Sequence, residues 1–384
     1  MNCIGFDSPI YYRSMNQPEE NVLDNSNNSN SNIEQVTFIN CAHKYCVCFI
    51  DIVDSTKNTC DINGAIKIRG YYSIFLNTMS SIIKRHNGRV IKNAGDGLLY
   101  YFPKTVDSKN ELAFQDVLDC GLAMIEANKS INQNFNQKGL SSVCYRISAN
   151  YGKVELAISV NSYNVDLFGP TVNICSKINH LASSNEMVVN GDLYEVLKGT
   201  SFYQEYSFRA LDKNCNEDGP SNYVAYSVHP IDDASRRKEI EDKRKRKFFE
   251  NQQNHKNLTN SSFNILLIDD DEDILFAFNS IISSEGYNVT SFSSSSNALI
   301  HFSDKNPYFY HLVIMDIRMP ELNGIKLYSQ LKVLNPDVKV LFLSALNALD
   351  EVLSIFPEIK HSEIIRKPIE SNALLTIIKS ILCR

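Results

Sequence analysis

Short apolar runs at Ile265–Ile268, Leu312–Met315, Val338–Leu343 and Ile364–Ile365 alternate with helical patterns from residue 263 to the end of the chain. Runs this short, without polar alternation, read as strands buried on both faces, the pattern of a parallel sheet. Parallel neighbours need crossover helices, so the alternation predicts an α/β doubly wound domain over 263–384. In such sheets functional groups gather beyond the carboxyl ends of the strands. Those ends carry Asp269-Asp270, Asp316 and Ser344.

The preceding residues follow another order. The pattern predicts a strand (45–51), a helix (about 62–86), and a hairpin (89–94, 98–102) turning through Gly95-Asp96-Gly97. A helix (about 109–135), strands near 145–160, a helix near 170–181 and strands ending at Val228 follow. This is an α+β ferredoxin-like arrangement with additions, assigned to 41–228. Helices should cover one sheet face and leave the other free for a ligand or partner subunit. Residues 1–40, with an Asn/Ser tract from Asn25 to Asn32, have little to bury and are expected to be a disordered tail. Residues 229–262 form a basic helical linker. Its Arg236-Arg-Lys238 and Lys243-Arg-Lys-Arg-Lys247 are interleaved with Glu239, Glu241 and Asp242, which favours a solvated helix over a nucleic-acid or anionic-lipid contact.

The 384 residues suffice for two domains. A net charge of −6 gives no sign of a nucleic-acid surface, and no nucleic-acid partner is expected. Ten cysteines form no Cys-x-x-Cys pair, and Cys46 and Cys48 read as small core residues. No segment approaches the roughly 20 apolar residues of a membrane span. A cytoplasmic location without membrane contact is expected.

In the first domain Asp51 closes the apolar run Tyr45–Ile50, and Lys92 and Asp96 sit in Lys-Asn-Ala-Gly-Asp-Gly97. Asp166 opens Asp-Leu-Phe-Gly-Pro-Thr-Val-Asn173-Ile-Cys-Ser-Lys177. Taken singly, Asp96-Gly97 is also an ordinary hairpin turn, and Asp54, Ser55 and Thr56 read best as helix caps. Together these segments resemble the catalytic domain of class III adenylyl and guanylyl cyclases. The resemblance implies that Asp51 and Asp96, with the carbonyl of Ile52, hold two Mg²⁺ or Mn²⁺ ions, since Mg²⁺ takes hard oxygen ligands. It implies that Lys92 and Asp166 read adenine, where guanylyl enzymes tend to carry Glu and a small residue such as Cys. ATP is therefore the expected substrate.

Asn173 and Lys177 share one helix face. The family uses the Asn to orient the ribose and an Arg one turn later to stabilise the transition state. Lys177 departs from that Arg, keeping the charge but losing its planar fork. Lys213, in Ala210-Leu-Asp-Lys-Asn214, is the candidate for a triphosphate-binding lysine, and an ordinary loop lysine is the equal alternative. The family pattern implies a head-to-tail homodimer. Each site would take Asp51 and Asp96 from one chain and Lys92, Asp166, Asn173 and Lys177 from the other.

In the second domain the separated motifs Asp269-Asp270, Asp316, Ser344 and Lys367-Pro368 resemble a response-regulator receiver, which implies an α/β doubly wound, flavodoxin-like fold of five parallel strands. The resemblance implies phosphorylation of Asp316 by a histidine kinase or a small-molecule phosphodonor. It implies Mg²⁺ held by Asp269, Asp270, Asp316 and the carbonyl of Arg318, with Ser344 and Lys367 as switch residues and a cis peptide before Pro368. Ile364 stands where the family usually has its switch aromatic, so signalling through a dimer face is expected. The expected whole is a phosphorylation-regulated cyclase forming cyclic AMP and pyrophosphate from ATP. The alternative is a degenerate cyclase-like output module that binds nucleotide or a partner without turnover.

Overall fold

The computed structural model describes residues 36–39, 43–60, 64–159, 165–211, 223–231, 263–320, 322–344, 354 and 359–382. The Asn/Ser tract, the basic residues 236–247 and Lys213 lie outside the described residues.

The N-terminal domain is built on a seven-stranded sheet of order β3-β4-β2-β5-β8-β10-β9. Its strands are β2 (Lys44–Ile52), β3 (Arg89–Ala94), β4 (Gly97–Phe102), β5 (Tyr145–Lys153), β8 (Glu186–Asn190), β9 (Tyr206–Ala210) and β10 (Ala225–Pro230). The antiparallel quartet β3-β4-β2-β5 is the ferredoxin-like core, and the parallel pairing of β5 with β8 makes the sheet mixed.

The helices are α1 (Ser55–Cys60), α2 (Ala65–Arg85), α3 (Glu111–Gln137), α4 (Pro170–Asn179) and α5 (Gly191–Lys198). On α2, the spacing of Tyr71, Phe75, Met79, Ile82 and Ile83 makes one buried stripe. Asn110 caps α3 by accepting from the Ala113 amide. These two helices meet the strand residues Cys46, Cys48, Ile50, Leu98, Tyr100 and Phe102 in the main core. Fully buried Phe75, Phe114 and Phe135 each contribute about 1.5–3 kcal/mol.

Two expectations need correction. The ordered fold begins before residue 41, because β1 (Val36–Ile39) pairs antiparallel with β6 (Glu155–Ser159), which pairs in turn with β7 (Val165–Phe168). Nor is the second sheet face free. Tyr45, Val47, Leu99 and Tyr101 point away from α2 and α3, yet none is more than 3% exposed. Helix α4 lies on this face, where the Cys175 thiol donates to the Val47 carbonyl. Leu156 of β6 and Leu167 of β7 join the same apolar cluster, together with side chains of the C-terminal domain.

The C-terminal domain is a parallel sheet of order β12-β11-β13-β14-β15, as the alternation predicts. Its strands are β11 (Asn264–Ile268), β12 (Asn288–Phe292), β13 (Leu312–Asp316), β14 (Lys339–Ser344) and β15 (Ile364–Arg366). Helices α6 (Glu272–Ser284), α7 (Ser295–Asp304), α8 (Gly324–Leu334) and α9 (Ser371–Leu382) flank it. The described parts of both domains lie within one compact unit. Among the described residues no helix is long and apolar enough to cross a membrane.

Candidate functional site

Asp51 lies one residue before the end of β2, and the β3–β4 hairpin brings Asp96 to it. The turn needs Gly95 at φ 65°, a left-handed conformation. At Gly97 the hairpin passes so close to β2 that an added Cβ would stand 2.0 Å from the Ile50 carbonyl oxygen. Only glycine permits that approach, and it sets the two carboxylates together. The Asp51 carboxyl is pushed up to about 6, first by burial, then by the charge of Asp96 and a hydrogen bond to it. Arg146, opposite Asp51 on β5, and the Ile52 amide pull in the other direction without prevailing. Two carboxylates that oppose each other's ionisation offer hard oxygen donors for divalent cations. Ile52 is 3% exposed and adjoins the pair through its backbone.

A second pair forms across two strands. Lys92 of β3 donates to the Asp166 carboxylate of β7, and the other Asp166 oxygen accepts from the Leu167 amide at 2.8 Å. The Lys92 ammonium also lies 5.9 Å from the Phe168 ring centroid. Phe38 of β1 comes within 5.8 Å of Phe168, leaving an exposed aromatic pair beside Lys92 and Asp166.

Asn173 and Lys177 lie on the exposed side of α4, whose opposite side is fixed by buried Thr171, Cys175 and Ile178. Gly169 at φ 120° and Pro170 at the first helical position start this helix. Among the described residues Lys177 makes no ion pair, and its ammonium rests 5.7 Å from the Tyr223 ring centroid.

At the carboxyl ends of β11 and β13, ligand oxygens of Asp269, Asp270 and Asp316 lie within 4.8 Å of one another. Lys367 donates to Asp269 at 2.6 Å and to Asp316 at 2.8 Å. Burial works against the Lys367 charge, but its bonds to both aspartates and their charges outweigh it and raise its pKa. Burial raises Asp269 despite Lys367, leaving a carboxylate short of positive charge. The amide of Arg318 donates to Asp316 at 3.2 Å. Ser344 is 7% exposed at the end of β14, and its carbonyl accepts from the Lys367 amide at 2.7 Å. The Lys367–Pro368 peptide is cis.

Residues 39–229 match the family model described as the adenylate and guanylate cyclase catalytic domain, and residues 265–379 match the response regulator receiver domain. The chain is a class III nucleotidyl cyclase catalytic domain joined to a response regulator receiver domain. Cyclase domains act as dimers, a receiver implies a phosphodonor kinase, and both families use divalent metals.

The receiver is 30% identical over 122 residues to the transcriptional regulatory protein CssR of Bacillus subtilis, covering 32% of this chain and 52% of CssR. It is 36% identical over 80 residues to the response regulator protein TodT of Pseudomonas putida, covering 21% of this chain and 34% of TodT. The chain thus spans about half of these curated relatives or less. Among solved structures, the adenylyl cyclase CyaB of P. aeruginosa matches at 18% identity and a TM-score of 0.44, covering 51% of this chain and 96% of CyaB. The guanylyl cyclase Cya2 matches at 17% and 0.42, covering 52% and 96%. A receiver domain protein from Clostridium thermocellum matches at 29% and 0.29, covering 31% and 94%.

Three neighbours of the cyclase site were not singled out in the sequence: Arg146, Phe168 and Tyr223. Arg146 faces Asp51 only through the β2–β5 register. Strand pairing at a separation of 95 residues leaves no local pattern to read.

Proposed function

We propose that the chain converts ATP to cyclic AMP and pyrophosphate at a site completed by a second copy, under control of aspartyl phosphorylation in the receiver. The observation that carries this reading is the Asp51–Asp96 pair, in which burial and mutual charge push Asp51 up to about 6. Such a pair favours a divalent cation over two free carboxylates. The Lys92–Asp166 pair supports adenine as the base, the ammonium donating to a ring nitrogen and the carboxylate accepting from the exocyclic amine.

In the reaction the ribose 3′ hydroxyl gives up its proton to solvent as its oxygen bonds to the α-phosphorus, the bond from that phosphorus to the bridging oxygen breaks, and pyrophosphate leaves. Bound Mg²⁺ or Mn²⁺ would supply charge at the nucleophile and the phosphates. Asp51 and Asp96 hold that charge in place. Asn173 orients the ribose, and Lys177 offers positive charge to the developing phosphorane from the exposed side of α4. In the receiver, an Asp316 oxygen attacks the donor phosphorus and the donor's bond to that phosphorus breaks. Lys367, released from its carboxylate bonds, then meets a phosphoryl oxygen, and the Ser344 hydroxyl meets another.

A second reading, a nucleotide-binding module without turnover, is favoured by Lys177, which replaces the family's Arg and rests on the Tyr223 ring. The test is cyclic AMP formation by the purified full chain with ATP and Mg²⁺ or Mn²⁺, beside Asp51→Ala and Lys177→Arg. Product from the wild type that vanishes in Asp51→Ala supports the cyclase. Product only after Lys177→Arg supports the second reading.

A further inference from the structure

The receiver touches the cyclase domain at one end of the β3–β4 hairpin, and the other end of that hairpin carries Lys92 and Asp96. At the gripped end, Asp337 takes Arg89 of β3 on one carboxylate oxygen and Lys104, just beyond β4, on the other, each at 3.2 Å. Between them the buried Tyr101 hydroxyl donates to the Val333 carbonyl at 3.0 Å. His43, ahead of β2, contacts the Ser303 carbonyl at 2.6 Å, and Tyr45 and Tyr101 stack edge to face behind this line. A cavity of about 140 Å³, lined in part by Arg89, Tyr308 and Asp337, sits within the contact, and the Tyr308 hydroxyl is buried there without a hydrogen bond.

Both partners are built to carry a displacement. In the hairpin, β3 is the sheet's edge strand, paired among the described residues to β4 alone, and its register shifts between Val90 and Lys92. That irregularity lies between the residues the receiver holds and those at the site, where a strand bends most readily. In the receiver, two elements run from the phosphoacceptor to the contact. Helix α8 starts at Gly324, whose amide donates to the Ile317 carbonyl and whose added Cβ would stand 2.2 Å from the Asp316 carbonyl oxygen. It ends at Val333 and Leu334, against Tyr101. Asn335 then fixes the following turn, donating to the Pro307 carbonyl and accepting from the Asp337 amide. From Asp337 the chain enters β14 and returns to Ser344. A shift at Asp316 or Ser344 has packed, buried elements leading straight to Asp337 and Val333.

We propose that the receiver regulates the cyclase site by gripping the open end of the β3–β4 hairpin through Asp337 and Val333, so that the state of Asp316 sets the position of Lys92 and Asp96. This rests on the cyclase reading above for its consequence in catalysis, but the mechanical coupling does not. Regulation then runs through a contact within one chain, from the end of the receiver opposite its phosphoacceptor.

The test is amide hydrogen exchange of the full chain with Mg²⁺, with and without beryllofluoride as the acyl-phosphate mimic. Exchange in peptides covering 89–102 is expected to change by about fivefold, the lower range of coupling between sites, with α3 unchanged. Asp337→Arg, which sets like charges against Arg89 and Lys104, should remove the response, and Asp337→Arg with Arg89→Glu should restore part of it. Tyr101→Phe, which deletes one hydroxyl in a packed core, should weaken the response while leaving the fold intact. An unchanged hairpin when beryllofluoride protects 316–320, or a wild-type response in Asp337→Arg, overturns the proposal. Cyclic AMP measured on the same samples separates the two claims. A responding hairpin without product sinks the cyclase reading alone, and product with an unresponsive hairpin sinks this coupling alone.

Discussion

Replacing Asp51 by Asn should stabilise the cyclase domain in the absence of metal, although it removes a ligand. The folded carboxyl holds its proton up to about 6, against an ordinary 3.8. The folded state therefore binds this proton more tightly than the unfolded chain. The penalty is absent below the ordinary value, develops as pH rises through the interval, and is complete above about 6. At 1.36 kcal/mol per pH unit the interval corresponds to about 3 kcal/mol for a fully buried group. Asp51 is only half-buried, and solvent screening reduces the expectation to about 1 kcal/mol. For a domain of this size that moves Tm by about 2–4 °C. Calorimetry of the full chain in chelator should show Asp51→Asn melting higher than wild type by that amount at pH 7.5, with the difference closing towards pH 4. Adding Mg²⁺ should raise the wild type more than the variant, since the receiver site gains equally in both and only the wild type has the complete Asp51–Asp96 pair. A variant no more stable than wild type at pH 7.5, or a gain that is independent of pH, would refute the argument that burial and the Asp96 charge oppose ionisation of Asp51 in the metal-free site.

Gly97→Ala places a Cβ 2.0 Å from the Ile50 carbonyl oxygen, so the hairpin tip must withdraw from β2. A loss of about 2–4 kcal/mol is expected in denaturation of the cyclase domain, the scale of severe overpacking and strain, together with loss of Mg²⁺-dependent stabilisation. Lys92→Glu combined with Asp166→Cys should reverse base preference, read as the ratio of cyclic GMP to cyclic AMP formed from equimolar substrates. Asp51→Ala and Lys92→Ala chains should each be inactive alone, yet a mixture should regain turnover, because a mixed dimer holds one site free of both substitutions. A silent mixture beside an active wild type would contradict the two-chain site.

The receiver was legible almost whole because its chemistry sits at strand ends. The parallel-strand pattern that locates those ends also locates Asp269, Asp316, Ser344 and Lys367, and the sheet order agrees. In the cyclase domain the hairpin was legible from Gly95-Asp96-Gly97, and the shared face of Asn173 and Lys177 from helical spacing. Covering of the second sheet face was not. Tyr45, Val47, Leu99 and Tyr101 alternate correctly for a strand with one face outward, and nothing local tells an outward face bound by solvent from one bound by β6, β7 and a second domain. Strand β1 was missed because Val36–Ile39 follows a polar tract and gains its order from pairing with β6, more than a hundred residues away. No local pattern marks Asp337, whose role at the contact depends on Arg89 and Lys104, both from the other domain.

The measurement that joins both halves of the account is the rate of cyclic AMP formation from ATP by the full-length chain, before and after beryllofluoride, in wild type and Asp316→Asn. The rate should change with beryllofluoride in the wild type and stay fixed in Asp316→Asn. Turnover that ignores beryllofluoride while the receiver demonstrably binds it, or no turnover in either state, would contradict a cyclase governed by its own receiver.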